Sequence, residues 1–232
     1  MSWRSFLPRH SYSAFPTVGR VSSEPHLTSV SSPASVRAAL LVLHGGQEVG
    51  HEMVGATSAS WLRARVLAQA ISGPARDAEV AIRLLRYRKR GWNGGEDPVP
   101  DARWALERVR RELGDVPVVL LGHSMGARTA VHVADDPRVR GVVALAPWFP
   151  PGEPVDALAG RQLRAAHGRA DEITSFEATR AFVERSRAVT ELSHLHDMGE
   201  VGHYLLRRAS AWHRFALEAA VATLGPTGAH GA

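Results

Sequence analysis

The chain has 232 residues, of which 44% are hydrophobic and 22% are charged, and its formal net charge is +5. A chain of this length is expected to form one domain with a sizeable core. It contains no cysteine, which excludes a disulfide scaffold, a cysteine nucleophile and a thiolate-held metal or iron–sulfur site. The composition is compatible with a reducing compartment, and we expect a cytoplasmic protein.

Arginine rather than lysine carries the positive charge, since Lys89 is the one lysine in the chain. The densest basic run, 86–90, contains a single aromatic residue and leads into a glycine turn, and the other arginines are interspersed with acids on predicted helices. This pattern is typical of solvated helix faces, so we expect no nucleic-acid partner. The apolar runs are too short to span a bilayer, so we also expect no membrane segment.

Short apolar runs and helical patterns alternate from residue 38 onward, which predicts a parallel sheet with helices on both faces. The predicted strands are 38–43, 80–85, 118–121, 139–145, 162–167 and 189–195, and the predicted helices are 58–71, 101–113, 125–134, 176–187 and 204–223. Asp101 and Ser175 are predicted helix N-caps, and Gly114 a C-terminal stop. We expect residues 38–224 to form the domain, preceded by a partly ordered lead-in (1–37) with a short strand near 15–21, and followed by a flexible tail (225–232).

A G-x-S-x-G motif centred on Ser124 lies between the predicted strand 118–121 and the predicted helix 125–134. In that position the motif is typical of a nucleophile elbow, a tight turn that holds a serine hydroxyl above the end of a sheet. Small residues two positions before and after the serine allow the strand and the helix to approach each other. The motif therefore predicts Ser124 as a nucleophile.

The run His44-Gly45-Gly46-Gln47 follows the first predicted strand. Glycines at this point let a loop aim backbone N–H groups at a developing oxyanion, and acyl transfer needs two such donors. We assign one donor to the N–H of Gly46, with Gln47 as the nearby alternative. The second is the N–H of Met125, directly after the nucleophile.

The acid and base candidates follow later strands. Asp171, after strand 162–167, is placed where it can orient a histidine, with Glu172 as the adjacent rival and Asp156 and Asp197 as weaker alternatives. His203 follows the last predicted strand. The order Ser124, Asp171, His203 is the chain order that this arrangement requires. The competing histidines are His194, His196 and His213.

Two patterns bear on metals. His194-x-His196-Asp197 has ligand-like spacing but no further histidine cluster beside it, so we expect no metal there. His51-Glu52 begins like a zinc-binding H-E-x-x-H motif, but Gly55 stands in the place of the second histidine.

Together these residues resemble the α/β-hydrolase superfamily over residues 38–224, and most closely its small dienelactone-hydrolase-like and carboxylesterase-like members. The resemblance implies an eight-stranded, mostly parallel sheet and a Ser–His–Asp triad that needs no cofactor. Dienelactone hydrolases carry a cysteine at the elbow, whereas this chain carries Ser124.

The segment 146–161, where family members often carry a helical lid, is short and contains four prolines. It is too short for a cap domain, so we expect an open site. The residues expected to line that site are Gln47, Trp92, Trp148, Phe149 and Tyr204. We expect a serine hydrolase acting on a small carboxylic ester or thioester. The alternatives are a non-catalytic ligand-binding or partner-recognition protein of the same fold, and an acyltransferase that uses the same residues.

Overall fold

The computed structural model describes residues 24–225. Seven strands form one sheet in the order β1-β3-β2-β4-β5-β6-β7. The strands are β1 (His26–Ser31), β2 (Ala38–Leu43), β3 (Val80–Arg86), β4 (Val118–His123), β5 (Val139–Leu145), β6 (Gln162–His167) and β7 (Leu192–Asp197). β1 pairs antiparallel with β3, and the other five pairings are parallel. The predicted fold class is therefore confirmed, with seven strands among the described residues where the resemblance implied eight.

Six helices connect and cover the strands. They are α1 (Ala59–Ala70), α2 (Ser72–Asp77), α3 (Pro98–Leu113), α4 (Met125–His132), α5 (Phe176–Ser186) and α6 (Ala209–Leu224). α3 and α4 contact each other and the central strands, while α6 packs on β4, β5 and β6. Every residue of β2 and β4 is buried, as expected for central parallel strands that are covered on both faces.

The structure corrects several predicted boundaries. β1 at 26–31 has a polar, half-exposed sequence, which explains why the apolar pattern did not predict it; the strand expected near 15–21 lies outside the described residues. β7 begins three residues later than predicted, at Leu192. The final helix begins at Ala209 rather than at 204, so Tyr204 belongs to the preceding loop.

The capping predictions had mixed outcomes. The Ser175 side chain accepts a hydrogen bond from the Ala178 N–H and so caps α5, and Gly114 ends α3 with a φ of 79°. Asp101 is not an N-cap, because α3 begins at Pro98, whose ring suits the first turn of a helix. Asp101 is instead buried and accepts hydrogen bonds from the Arg88 backbone (2.8 Å) and guanidinium (2.6 Å).

The contact between α4 and the sheet depends on two glycines of the elbow motif. A Cβ atom at Gly126 would overlap the carbonyl oxygens of Leu43 and His44, and one at Gly122 would overlap the backbone of Ala127. No side-chain movement relieves an overlap with backbone. These glycines therefore set how closely α4 can approach β2 and β4, and with it the position of the turn between β4 and α4.

We predict that Gly126→Ala lowers the free energy of unfolding by about 2 kcal/mol or more, because the new methyl group must displace the end of β2. For a domain of this size the melting temperature should fall by about 4 °C or more. Gly55→Ala is the matched control, since the nearest atom to a Cβ there, the Thr57 hydroxyl oxygen, lies 4.0 Å away. Removing the backbone freedom of that glycine should leave stability unchanged or raise it by up to about 1 kcal/mol. Equal melting temperatures for the two variants would contradict this account of the elbow.

Candidate active site

Ser124 occupies a strained turn between β4 and α4. Its backbone angles are φ 56° and ψ −121°, a conformation that non-glycine residues rarely adopt. The turn is held from both sides: the Ser124 N–H donates to the carbonyl of Leu145 at 3.1 Å, and the Trp148 N–H donates to the carbonyl of Ser124 at 3.3 Å. The end of β5 and the segment after it therefore fix the direction in which the Ser124 side chain points.

His203 lies in the loop between β7 and α6, and its ring reaches the serine. The Ser124 hydroxyl donates to Nε2 of His203 at 3.0 Å, and Nδ1 of His203 donates to Oδ2 of Asp171 at 2.8 Å. A carboxylate only accepts hydrogen bonds, so the proton on His203 belongs on Nδ1 and the lone pair of Nε2 faces the serine. The structure thus brings together the serine, histidine and aspartate that the sequence analysis singled out.

The backbone of His203 is held by a second histidine. Nε2 of His123 donates to the carbonyl of His203 at 2.9 Å, and the two rings lie 4.9 Å apart. Burial, followed by the nearby charge of His203, lowers the pKa of His123 to about 3. His123 is therefore neutral at physiological pH and acts here as a fixed hydrogen-bond donor.

Asp171 is the acceptor in a dense hydrogen-bond network, and its side chain is fully buried. Its Oδ1 accepts from the backbone N–H groups of Ile173 at 2.8 Å and Thr174 at 2.9 Å. Its Oδ2 accepts from the Thr174 hydroxyl at 2.9 Å and from Nε2 of His167 at 3.0 Å, besides His203. Burial alone would raise the pKa of Asp171, but the hydrogen bonds from His167 and His203 outweigh it and hold that pKa well below its usual range.

Sequence reasoning missed two members of this network. His167, the last residue of β6, is fully buried, and its Nδ1 contacts the hydroxyl of Thr179 at 2.8 Å. The Thr174 hydroxyl also lies 3.1 Å from Nδ1 of His203. His167 could have been found from the sequence, because it is a histidine at the end of a strand and stands four residues before Asp171. Nothing in the local pattern distinguished Thr174 from an ordinary loop threonine.

The rival candidates lie elsewhere. Glu172 is exposed, and Asp197 pairs with Arg169 on the surface. Asp156 begins a short 3₁₀ turn and His213 lies within α6. His194 and His196 are on β7, where the His196 ring stacks on Phe215 at 5.2 Å. Within residues 24–225 no group of three or more metal-ligating side chains is assembled. In the same range no helix is long and apolar enough to cross a bilayer.

The glycine loop after β2 lies beside the start of α4. Nδ1 of His44 donates to the carbonyl of Gly45 at 2.6 Å, and its Nε2 accepts from the Tyr87 N–H at 3.2 Å. Burial lowers the pKa of His44 to about 4, so the ring anchors the loop in its neutral form. A Cβ atom at Gly46 would overlap both the Arg90 carbonyl and the Met125 side chain, so only glycine brings the loop this close to α4.

The alternative oxyanion donor is already engaged. The N–H of Gln47 donates to the Arg90 carbonyl at 2.9 Å, which favours Gly46 as the donor from this loop. Met125 is the first residue of α4, and its N–H has no partner within the helix because the first N–H groups of a helix never do.

An open cleft of about 270 Å³ leads to the serine and histidine. Ser124 and His203 line this cleft, together with Gln47 and Tyr204. The other lining residues are Gly45, Gly46, Ser58, Ala59, Ser60, Arg63, Arg90, His123 and Ile173.

Trp92, Trp148 and Phe149 do not line this cleft, which corrects the expectation for them. The Arg128 guanidinium lies between the two tryptophan rings, 4.2 Å from the centroid of Trp92 and 4.5 Å from that of Trp148. Phe149 is buried and stacks on Phe182 at 4.0 Å. These three aromatic residues pack around α4 and α5, where the two tryptophans contact the guanidinium of Arg128 and Phe149 contacts the ring of Phe182.

The comparisons with known proteins agree with the fold. The model of the alpha/beta hydrolase family matches residues 40–229, and the chain therefore belongs to that family. No curated protein sequence matched the chain.

Three solved structures illustrate the likeness. One is XC6422 from Xanthomonas campestris, described as an α/β serine hydrolase without a lid, with 17% identity, a TM-score of 0.66, and coverage of 92% of this chain and 99% of that one. An α/β serine hydrolase homologue from Coxiella burnetii has 17% identity, a TM-score of 0.62, and coverage of 84% and 90%. Butyrate-bound esterase 2 from Thermogutta terrifontis has 17% identity, a TM-score of 0.62, and coverage of 88% and 91%. At these identities the likeness establishes the fold.

We predict that Asp171→Asn lowers stability at neutral pH and that this loss shrinks in acid. A carboxyl whose pKa is lowered by folding contributes its full stabilisation above its unfolded-state pKa of about 3.9, and that contribution is lost progressively as the pH falls from there toward the lowered pKa of the folded protein. Urea unfolding of the native protein and the variant at about pH 7 and about pH 2 measures the difference. Glu172→Gln removes an exposed carboxylate from the same loop and should cost less at neutral pH. A pH-independent effect of Asp171→Asn would contradict the account of the network.

Proposed function

We propose that the protein is a serine hydrolase that cleaves small carboxylic esters or thioesters through an acyl-enzyme. The observation that carries this proposal is the continuous hydrogen-bond chain from Ser124 through His203 to Asp171, with its serine end at the floor of an open cleft. A binding protein of the same fold has no need of a serine hydroxyl aligned on an unprotonated imidazole nitrogen. The esterase named for the Thermogutta structure supports the same reaction class.

In the first half of the proposed reaction, the Ser124 hydroxyl attacks the ester carbonyl while Nε2 of His203 removes its proton. Asp171 accepts from Nδ1 and stabilises the imidazolium that forms. When the tetrahedral intermediate collapses, the imidazolium returns the proton to the departing alkoxide or thiolate. Ser124 is left acylated.

The N–H groups of Gly46 and Met125 are the proposed donors to the oxyanion. Met125 stands at the N-terminus of α4, where the helix dipole also favours negative charge. Gly46 packs against the side chain of Met125, which supports a position of the glycine loop beside the start of α4. Donors that are fixed before the reaction gain strength as charge develops on the oxygen.

In the second half, His203 removes a proton from a water molecule that attacks the acyl carbonyl. Collapse of the second tetrahedral intermediate breaks the bond between the acyl carbon and the Ser124 oxygen, the imidazolium returns the proton to that oxygen, and the carboxylic acid is released. The segment between β5 and β6, residues 146–161, is fully described, and the one helical element in it is a short 3₁₀ turn at Asp156–Leu158. Water can therefore reach the acyl group, which favours hydrolysis over transfer to a second alcohol.

We predict that a fluorophosphonate probe labels Ser124 and that Ser124→Ala abolishes the labelling. The same substitution should lower kcat for p-nitrophenyl butyrate by about a thousandfold or more, and His203→Ala by a comparable factor, because the two side chains act as one unit. Ser210→Ala, an exposed serine on α6, is the control and should keep both properties.

Three results would contradict the assignment. Labelling that persists in Ser124→Ala would place the nucleophile elsewhere. Substantial activity in His203→Ala would place the base elsewhere. A folded native protein that neither reacts with the probe nor hydrolyses any ester would favour a ligand-binding role.

A further inference from the structure

The walls of the cleft above Ser124 combine polar and apolar surface and carry positive charge. Arg63 and Arg90 line it, and no aspartate or glutamate does so among residues 24–225. The aliphatic side chains in the lining are those of Ala59 and Ile173, and Ile173 is 60% exposed. Among the described residues, the lining therefore offers few aliphatic contacts to a long acyl chain.

Arg63 stacks on an aromatic ring and has no ion-pair partner among residues 24–225. It follows the start of α1 by one turn, and its guanidinium lies over the ring of Tyr204, 4.7 Å from the centroid. Burial lowers the pKa of Arg63, with Tyr204 acting in the opposite direction, yet a guanidinium remains protonated at neutral pH. Stacking occupies the face of the guanidinium and leaves its in-plane N–H donors free for a planar anion.

Arg90 stands on a loop whose backbone is fixed. Its N–H donates to the Glu52 carbonyl at 3.1 Å and its carbonyl accepts from the Gln47 N–H at 2.9 Å. Arg90 is exposed and is one of the residues that line the cleft. Within the described part of the chain, neither Arg63 nor Arg90 forms an ion pair or a side-chain hydrogen bond with an acid.

Several arginines near the core pair with acids: Arg83 bonds Glu112 at 3.1 Å, Arg88 bonds Asp101 at 2.6 Å, and Arg128 bonds Glu153 at 2.7 Å. Others, such as Arg37, Arg161 and Arg164, donate to backbone carbonyls or to a neutral side chain. Within residues 24–225, the side chains of the two cleft arginines have neither kind of partner. The first turn of α1, which borders the same cleft, also contains no acidic side chain.

We infer that the substrate is a small ester that carries an anionic group, a carboxylate or a phosphate, in its acyl or its alcohol part, and that Arg63 and Arg90 bind this group. The inference rests on the proposed function, because it assigns the substrate class of the same cleft. The planar N–H edge of Arg63 offers a two-point contact to such a group, and Arg90 adds a flexible second cation.

Two pairs of esters, matched in shape and different in charge, test the inference. Monoethyl succinate and ethyl isocaproate differ in the acyl part, where a carboxylate replaces an isopropyl group of the same shape. Acetoxyacetate and isobutyl acetate differ in the same way in the alcohol part. In at least one pair we expect kcat/KM of the anionic ester to exceed that of the neutral ester by a factor of about ten or more. A factor of this size corresponds to one hydrogen bond to a charged group.

Variants of Arg63 and Arg90 test whether these two side chains cause the preference for the anionic ester. Arg63→Gln and Arg90→Gln should each lower the anion-to-neutral ratio of kcat/KM by about tenfold, mainly through KM for the anion. Arg63→Lys, which keeps the charge and loses the planar fork, should restore part of the ratio. Arg76→Gln is the control for net charge, since Arg76 is exposed on α2, which precedes β3 and so lies at the opposite edge of the sheet.

A binding measurement separates this inference from the proposed function. Calorimetry with Ser124→Ala should detect binding of monoethyl succinate or acetoxyacetate that Arg63→Gln weakens by about tenfold. Equal kcat/KM within both pairs, or ratios that the arginine variants leave unchanged, would overturn the inference while leaving ester hydrolysis intact. Binding that depends on Arg63 in a protein that hydrolyses no ester would support the anion site and contradict the proposed reaction.

Discussion

The strained turn at Ser124 is the constraint on which the rest of the site depends. Its φ of 56° is maintained because the elbow glycines pack against backbone, and because β5 and the segment after it bond the Ser124 amide and carbonyl. A relaxed turn would move the hydroxyl away from His203 and would also separate Met125 from Gly46. The unfavourable backbone conformation of Ser124 costs of order 1–3 kcal/mol, and the surrounding packing offsets that cost. The same packing aligns the proposed nucleophile and oxyanion donors.

Around this turn the histidines divide into distinct roles. His44 and His123 are buried and neutral, with pKa values lowered to about 4 and about 3, and each positions backbone through hydrogen bonds. His167 instead bonds the carboxylate of Asp171, the same oxygen that accepts from His203. Asp171 is therefore ionised and immobile before any reaction begins. A carboxylate in that state stabilises an imidazolium on His203 without having to reorient.

Much of the fold and of the candidate site followed from the sequence, because the patterns involved are local. The apolar strands β2 to β6, the following strand β7 and the loops at their carboxyl ends placed Ser124, Asp171 and His203 on one edge of the sheet. The predictions that failed concern residues whose environment is set by tertiary packing. β1 is a polar strand at the edge of the sheet, and Asp101 is buried because it bonds Arg88. The partners of Trp92 and Trp148 lie on α4, far away in sequence, and the stacking of Arg63 on Tyr204 joins residues that no sequence pattern relates.

The central claim is that Ser124 forms a covalent acyl intermediate. Rapid acid quenching during hydrolysis of p-nitrophenyl acetate, followed by proteolysis and mass spectrometry, tests it most directly. The account predicts an acetyl group on the peptide that contains Ser124, attached to that residue, appearing within the first turnover and disappearing as substrate is consumed. Hydrolysis of the ester with no acetylated peptide, or with the acetyl group on another residue, would contradict it.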